Sequence, residues 1–411
     1  MKRDLGDLAL FGGNASFLQQ IHVGRPNRIE RTRLFDRLSL ALDNQWLTNN
    51  GPLAREFEER VADLAGVRNC VATCNATVAL QLLVHAAELT GEVVMPSLTF
   101  AATAHAVRWL GLEPVFCDID PRTGCLDPAA VAAAVTPRTS GIFGVHLWGR
   151  PCAVDALEKL AANTGLRLFF DAAHAIGCTS QGRPVGGFGD AEVFSFHATK
   201  VVNAFEGGAI VTDDDDLANR VRSLANFGFN LRTPSAAGGT NAKMSEASAA
   251  MGLTSLDAFP EVARHNRDNY EQYRRELARV PGLSVINLDP DERHNYQYVV
   301  VDIDEDITGL SRDLLVELLR AENVVAQRYF SPACHQIEPY RSRQEVVHLP
   351  HTERLSARVV ALPTGSTISR EDIRRVCNIV RLAATRGSEL TARWHLQSGV
   401  GEQGVVPAGT G

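Results

Sequence analysis

The chain has 411 residues, 45% of them hydrophobic and 22% charged, with a net charge of −7. That length exceeds one ordinary core and implies a large domain beside a smaller one, and the composition is that of a globular protein. No apolar run approaches the ~20 residues of a membrane span, Met1-Lys2-Arg3-Asp4 leads into no signal-type apolar stretch, and no basic stripe suits a nucleic acid, so a cytoplasmic protein without membrane or nucleic-acid partners is expected.

Between about residue 65 and 215, short apolar runs alternate with stretches of helical length. Strands are predicted at Cys70–Thr73, Val93–Met95, Pro114–Cys117, Ile142–His146, Leu166–Phe170, Ala191–Phe196 and Ala209–Thr212. Helices are predicted between them over Ala76–Leu89, Ala101–Leu110, Pro128–Ala134 and Val154–Thr164. Strands joined through helices form crossover units, which predicts an α/β fold with a mostly parallel sheet covered on both faces. Ligands bind such sheets beyond the carboxyl ends of the strands. From about residue 256 the texture changes to a polar helix over Glu261–Val280, a strand over Tyr296–Asp302, and helices over Ser311–Ala321 and Arg370–Ala384. The predicted division is a large domain over 1–255, a smaller α+β C-terminal domain over 256–386, and a poorly ordered Gly-, Ser- and Thr-rich tail over 387–411. Eight cysteines lie scattered without a CxxC pair and read as reduced, mostly buried thiols. The twelve histidines show no ligand spacing, so no metal is expected.

Lysines are few: Lys2, Lys159, Lys200 and Lys243. Lys200 closes the run Ser195-Phe-His-Ala-Thr-Lys200, just beyond a predicted strand. An amine held at a sheet's carboxyl edge suits Schiff-base formation with an aldehyde cofactor, and Ser195 suits that cofactor's phosphate. Alone, Lys200 reads more readily as a solvated loop lysine. Leu166-Arg-Leu-Phe-Phe-Asp171 is an apolar strand ending in a carboxylate, placed to pair with a pyridinium nitrogen or simply to cap the next helix. His174, three residues on, suits a ring hydroxyl or a place beside the ring. Asn75-Ala76-Thr77-Val78 passes from strand to helix, where free amides favour an anion and where Asn75 or Thr77 would also serve as a plain cap. Phe100 comes just after another strand and suits either stacking on a planar ring or the core.

Taken in order, these runs resemble the DegT/StrS-type sugar aminotransferases. The resemblance spans about Ile21 to Arg386. It includes Trp46-Leu-Thr-Asn-Asn-Gly51-Pro52, Pro96-Ser-Leu-Thr-Phe100, Pro114–Pro121, Val145-His146-Leu-Trp148-Gly149, Phe205-Glu206-Gly207-Gly208, Asn226-Phe-Gly-Phe229 and Gly239-Thr-Asn241-Ala-Lys243-Met244-Ser-Glu246. It implies the aspartate-aminotransferase (type I) fold and pyridoxal 5'-phosphate on Lys200, with Asp171 at the ring nitrogen, His174 beside the ring and Phe100 stacked on it. Ser195, Thr77 and the backbone at Ala76 would hold the phosphate. Asn241 would reach the phosphate of a neighbouring subunit, which makes the homodimer the unit with complete sites. The family commonly has Ser-Gly-Thr where this chain has Asn75-Ala76-Thr77, a change that adds a methyl and keeps the backbone donor.

The resemblance further implies a nucleotide-linked keto-sugar as substrate and L-glutamate as amino donor. It is strongest to enzymes making dTDP-4-amino-4,6-dideoxyglucose from the 4-keto-6-deoxy sugar. Trp46 would lie at the site entrance, and His146, Trp148, Arg328 and Tyr329 would shape the sugar pocket, through aromatic faces and an arginine suited to a diphosphate. Trp148 is equally readable as packing between domains. Three alternatives stand beside this reading: amination at C3, a sugar dehydratase (whose relatives replace the lysine with histidine), and a non-catalytic partner that keeps only the fold.

Overall fold

The computed structural model describes residues 1–230, 233–234, 238–342 and 347–398. After a short strand β1 (Ile21–His22), helices α1 (Arg31–Asp43) and α2 (Pro52–Ala65) lead into the large lobe. There strands β2 (Asn69–Thr73), β3 (Glu92–Pro96), β4 (Glu113–Cys117), β5 (Thr139–Val145), β6 (Arg167–Asp171), β7 (Ala191–Ser195) and β8 (Gly208–Thr212) form one seven-stranded sheet. Helices α3 (Ala76–Ala86), α4 (Ala101–Trp109), α5 (Pro128–Ala134), α6 (Val154–Thr164) and α7 (Asp215–Ala225) connect and cover it. Spatial order is β2-β8-β7-β6-β5-β3-β4. Val93, Val94, Ile142, Phe169, Phe170, Val193, Ile210 and Val211 are all buried, which is why these strands read as continuous apolar runs rather than alternating ones.

All seven predicted strands form, with no end shifted by more than three residues. The sheet is parallel from β4 to β7, but β8 runs antiparallel to both β7 and β2. No helix crosses between β7 and β8, so the chain turns back on itself instead of making a crossover. Lys200 sits in that turn-back.

The small lobe is a three-stranded antiparallel sheet, β9 (Leu283–Val285), β10 (Val299–Ile303) and a last strand at Val359–Leu362. Helices at Arg312–Ala321 and Arg370–Thr385 pack on it, with Leu315, Leu319, Val376 and Val380 fully buried. The two lobes share α8 (Glu246–Leu277), which begins well before the predicted Glu261 and runs through the expected boundary at residue 255. Its first turns, Ala249–Leu256, are buried, whereas its second half is polar with only scattered buried side chains; Pro260 interrupts the hydrogen-bond ladder between the halves. That amphipathic second half carries the periodic signal, so the sequence pattern marks only that part.

Two further expectations about organisation are corrected. Residues 1–22 do not join the large domain: Leu5, Leu8, Phe17 and Ile21 bury themselves in the small-lobe core, and β1 pairs in parallel with Val324–Val325. The Glu322 carboxylate, fully buried, accepts from the amides of Ala9 and Ser16, each at 2.7 Å, and pairs with Lys2 Nζ at 3.2 Å. The predicted tail is helical over Gly387–Ser398, where Leu390 is buried and Thr391 Oγ1 donates to Gly309 O at 2.8 Å. Residues 399–411 lie outside the described residues. All eight cysteines are free thiols, seven of them buried, and no described helix is long and apolar enough to cross a membrane.

The Glu322 clasp generates a stability prediction. Glu322→Ala orphans two half-buried amides, at up to about 1–3 kcal/mol each, and denaturant unfolding should show the loss. Limited proteolysis should then cut the N-terminal segment first. A variant as stable as the parent would show that the clasp contributes nothing.

Candidate active site

A cavity of about 600 Å³ opens between the lobes at the carboxyl ends of the parallel strands. Ala76, Thr77, Phe100, Asp171, His174, Ser195, Lys200 and Tyr329 all line it. Eight residues proposed from widely spaced motifs thus meet in one place. Lining residues that carry no comparable signal in the sequence include Thr99, His197, Glu206 and Tyr298.

Lys200 reaches the cavity because the β7–β8 turn-back folds tightly: Lys200 N–H donates to His197 O at 2.9 Å and Ala204 N–H to Phe196 O at 2.8 Å. Burial disfavours the ammonium and pulls the Lys200 pKa from 10.5 down to about 8, against the opposing pull of the Asp171 carboxylate. Such an amine is neutral often enough near neutral pH to act as nucleophile and base.

Asp171 ends β6 and is itself held. Thr103 Oγ1 donates to Oδ2 at 2.7 Å, Ala173 N–H donates to Oδ1 at 3.1 Å, and Thr99 Oγ1 backs Thr103 at 2.8 Å. Each carboxylate oxygen retains lone-pair capacity for a cationic partner. His174 stays neutral, because burial and then the nearby Lys200 charge hold it well below the usual imidazole range. Its Nδ1 accepts from Trp148 N–H at 3.2 Å, which leaves the ring proton on Nε2.

Helix α3 supplies the anion site. Asn75 is the N-cap, its side chain accepting from Val78 N–H at 2.9 Å, and Ala79 N–H is taken by Asn75 O. The amides of Ala76 and Thr77 remain for an anion, at the positive end of the helix and beside Ser195. Gly208 makes this placement possible: a Cβ there would lie 2.5 Å from Ala76 N, so only glycine lets β8 pass under the helix start.

A buried reactive amine, a supported carboxylate, a neutral imidazole, a helix terminus with hydroxyls and the Phe100 ring are the donor set that pyridoxal phosphate requires. Lys200 would hold its aldehyde carbon, Asp171 its ring nitrogen, and Ala76, Thr77 and Ser195 its phosphate.

Four of the five substrate-binding expectations fall elsewhere. His146 is fully buried behind the sheet; its Nδ1 accepts from Cys152 N–H at 3.1 Å, and Nε2 meets Glu192 Oε2 at 3.0 Å. Trp148 is also buried and works from behind: besides orienting His174, its Nε1–H donates to Tyr329 O at 3.1 Å and steadies that wall. Arg328 turns away to Asp313 at 3.1 Å and Glu317 at 3.5 Å. Trp46 does not line this chain's cavity; it is half exposed, with the Arg55 guanidinium 5.1 Å from its ring centre. Only Tyr329 faces the cavity. Asn241 is exposed, bridges to Asn226 and lies outside this chain's own cavity. Among the described residues no group of three or more candidate ligands could hold a metal ion.

Fold and site together define a pyridoxal-phosphate-dependent aminotransferase. The chain belongs to the DegT/DnrJ/EryC1/StrS aminotransferase family, whose model matches residues 29–381. It is 34% identical over 361 residues to the dTDP-4-amino-4,6-dideoxy-D-glucose transaminase of Shigella dysenteriae, covering 88% of this chain and 98% of that protein. Its fold matches a crystal structure of DesI in the presence of its TDP-sugar product, with TM-score 0.92 and 67% identity over 95% of this chain and 99% of that one. Helicobacter pylori PseC, 23% identical over 88% of this chain and 98% of that one, shares the fold at TM-score 0.82.

The buried amine can be titrated directly. In apoprotein, acylation of Lys200 followed by peptide mass spectrometry should rise with pH through a midpoint of about 8. Because the folded pKa lies below the unfolded 10.5, the unfolded chain binds the extra proton between those values, and this group's contribution to stability rises with pH across that window. A midpoint near 10.5 would place the amine in water instead.

Proposed function

We propose that the protein transfers the amino group of L-glutamate to the keto carbon of dTDP-4-keto-6-deoxyglucose, giving dTDP-4-amino-4,6-dideoxyglucose and 2-oxoglutarate. The observation that carries the sugar assignment is the whole-length likeness to DesI and to the Shigella transaminase. The buried Lys200 amine over the Asp171–Thr103 pair carries the reaction class.

The chemistry pyridoxal phosphate supplies when bound is an electron sink for the charge left on the donor's α-carbon. Lys200 Nζ takes the proton from that carbon and later returns one to the sugar carbon, its lowered pKa suiting both directions. Asp171, fixed by Thr103 and Ala173, holds positive charge at the ring nitrogen. The α3 amides grip the phosphate, so the reacting end is oriented from a fixed point. Tyr329 and Phe330, whose ring centres lie 5.2 Å apart, give the cavity an apolar wall that excludes water from the proton transfer.

Incubation with glutamate and a panel of dTDP- and UDP-linked keto-sugars should yield the 4-amino-4,6-dideoxyglucose nucleotide, identified by NMR. A 3-amino sugar formed in preference would overturn the regiochemistry and leave the transamination standing.

The working unit in this reading is a cytoplasmic homodimer. Phe100, Phe205 and Phe227 are each about half exposed, and Trp46, Leu47 and Asn241 are exposed as well, a display that suits burial against a second copy. Mixing Lys200→Ala with Asn241→Ala should restore part of the activity lost by each alone, since one site in a mixed dimer keeps both residues. Mixed dimers that stay inactive would argue for self-contained sites.

A further inference from the structure

We propose that the Tyr298 hydroxyl is the rest that holds the Lys200 amine in line for proton transfer, making Tyr298 a positioning residue of the reaction. It immediately precedes β10, so it belongs to the small lobe, yet it lines the cavity of the large lobe's lysine. Lys200 Nζ donates to Tyr298 Oη at 3.4 Å and lies 6.0 Å from the centre of its ring.

The tyrosine is fixed from both sides. One residue earlier, the Gln297 side-chain oxygen accepts from Val201 N–H at 3.2 Å, directly after the lysine. Asn295 Nδ2 donates to His174 O at 2.9 Å and Ile176 O at 3.0 Å, and Asn295 Oδ1 accepts from Gln297 N–H at 3.0 Å. Segment 295–298 therefore clasps both the loop carrying His174 and the loop carrying Lys200. The Tyr298 ring packs on the His174 ring at 4.6 Å between centres and meets Tyr329 edge-on at 5.6 Å and 89°.

A lysine released from a covalent bond swings on a long flexible stem, and its lone pair must point at the right carbon for transfer. A neutral hydroxyl can hold one N–H while leaving the lone pair free. A carboxylate in the same place would keep the amine protonated. Burial pushes the Tyr298 phenol well above its ordinary value, so it remains a neutral partner across the working range. Asp171 and His174 are the other titratable groups acting with Lys200, and His174 is held neutral.

The proposal rests on the transamination reading. Wild-type turnover tests that reading by itself, whereas the ratio of Tyr298→Phe to wild type tests the role of the hydroxyl. Tyr298→Phe keeps the ring and its packing. Its kcat should fall about 10- to 100-fold, with KM for both substrates within about twofold. The isotope effect on kcat with α-deuterated amino donor should rise, because proton transfer becomes the slow step. A second readout needs no turnover: in apoprotein, the Lys200 acylation midpoint should drop below about 8, since the ammonium loses an acceptor. An isotope effect that stays at the wild-type value overturns the proposal, whatever happens to kcat, because lost packing alone would leave it unmoved. An unshifted acylation midpoint overturns it equally.

Discussion

Taking the Lys200 amine out of water constrains almost everything else around it. Burial alone would leave a neutral amine too weak as a base to carry the proton it must move, and exposure would leave one almost wholly protonated. The intermediate state depends on apolar walls set against a carboxylate that pulls the pKa partly back. Asp171 can do this only because Thr103 and Ala173 hold its oxygens in place, and Thr103 is in turn backed by Thr99. The amine also faces a neutral histidine, whose tautomer is set by a backbone N–H from the sharp turn at Trp148, where φ is +56°. A charged imidazole there would push the lysine further toward neutrality and compete for the same carboxylate.

Much of this architecture is legible in the sequence, for a physical reason. Strands buried on both faces must be apolar throughout, so Val93–Met95, Ile142–His146 and Leu166–Phe170 announce themselves, and a polar residue at such a strand's end stands out as a site candidate. That rule picks out Asp171, Ser195 and Lys200. What the rule cannot see is pairing direction, so the antiparallel β8 reads as part of a largely parallel sheet. Long-range partnership is equally invisible: nothing local to Leu5 or Leu8 says that their core lies in the small lobe, since the contact is made through Glu322, 313 positions beyond Ala9. The helix at Gly387–Ser398 escapes the pattern because its residues are mostly polar and only Leu390 is firmly buried.

The substrate wall is the least legible part. His146, Trp148 and Arg328 stand within three residues of cavity-lining positions, and proximity along the chain does not reveal which way a side chain faces. His146 points into the core toward Glu192, Trp148 lies under Tyr329, and Arg328 answers acids on the neighbouring helix. Tyr298 escapes notice for the converse reason. In the run His294-Asn-Tyr-Gln-Tyr298 it looks like an ordinary strand aromatic, and the only local signal is its spacing from Tyr296, two positions away.

The N-terminal segment gives the molecule an unusual order of assembly. Residues 1–22 leave the ribosome long before Glu322, Val324 and the strand at Val359–Leu362, the partners they finally pack against. At about 5–20 residues per second, the wait is on the order of tens of seconds. During that interval the large lobe, whose seven strands lie between residues 69 and 212, already has all of its sheet in hand. Leu5, Leu8 and Phe17 meanwhile have no core of their own to enter. This early segment can thus settle only once the stretch around Glu322–Val325 has been made, more than a hundred residues after the sheet of the large lobe is complete.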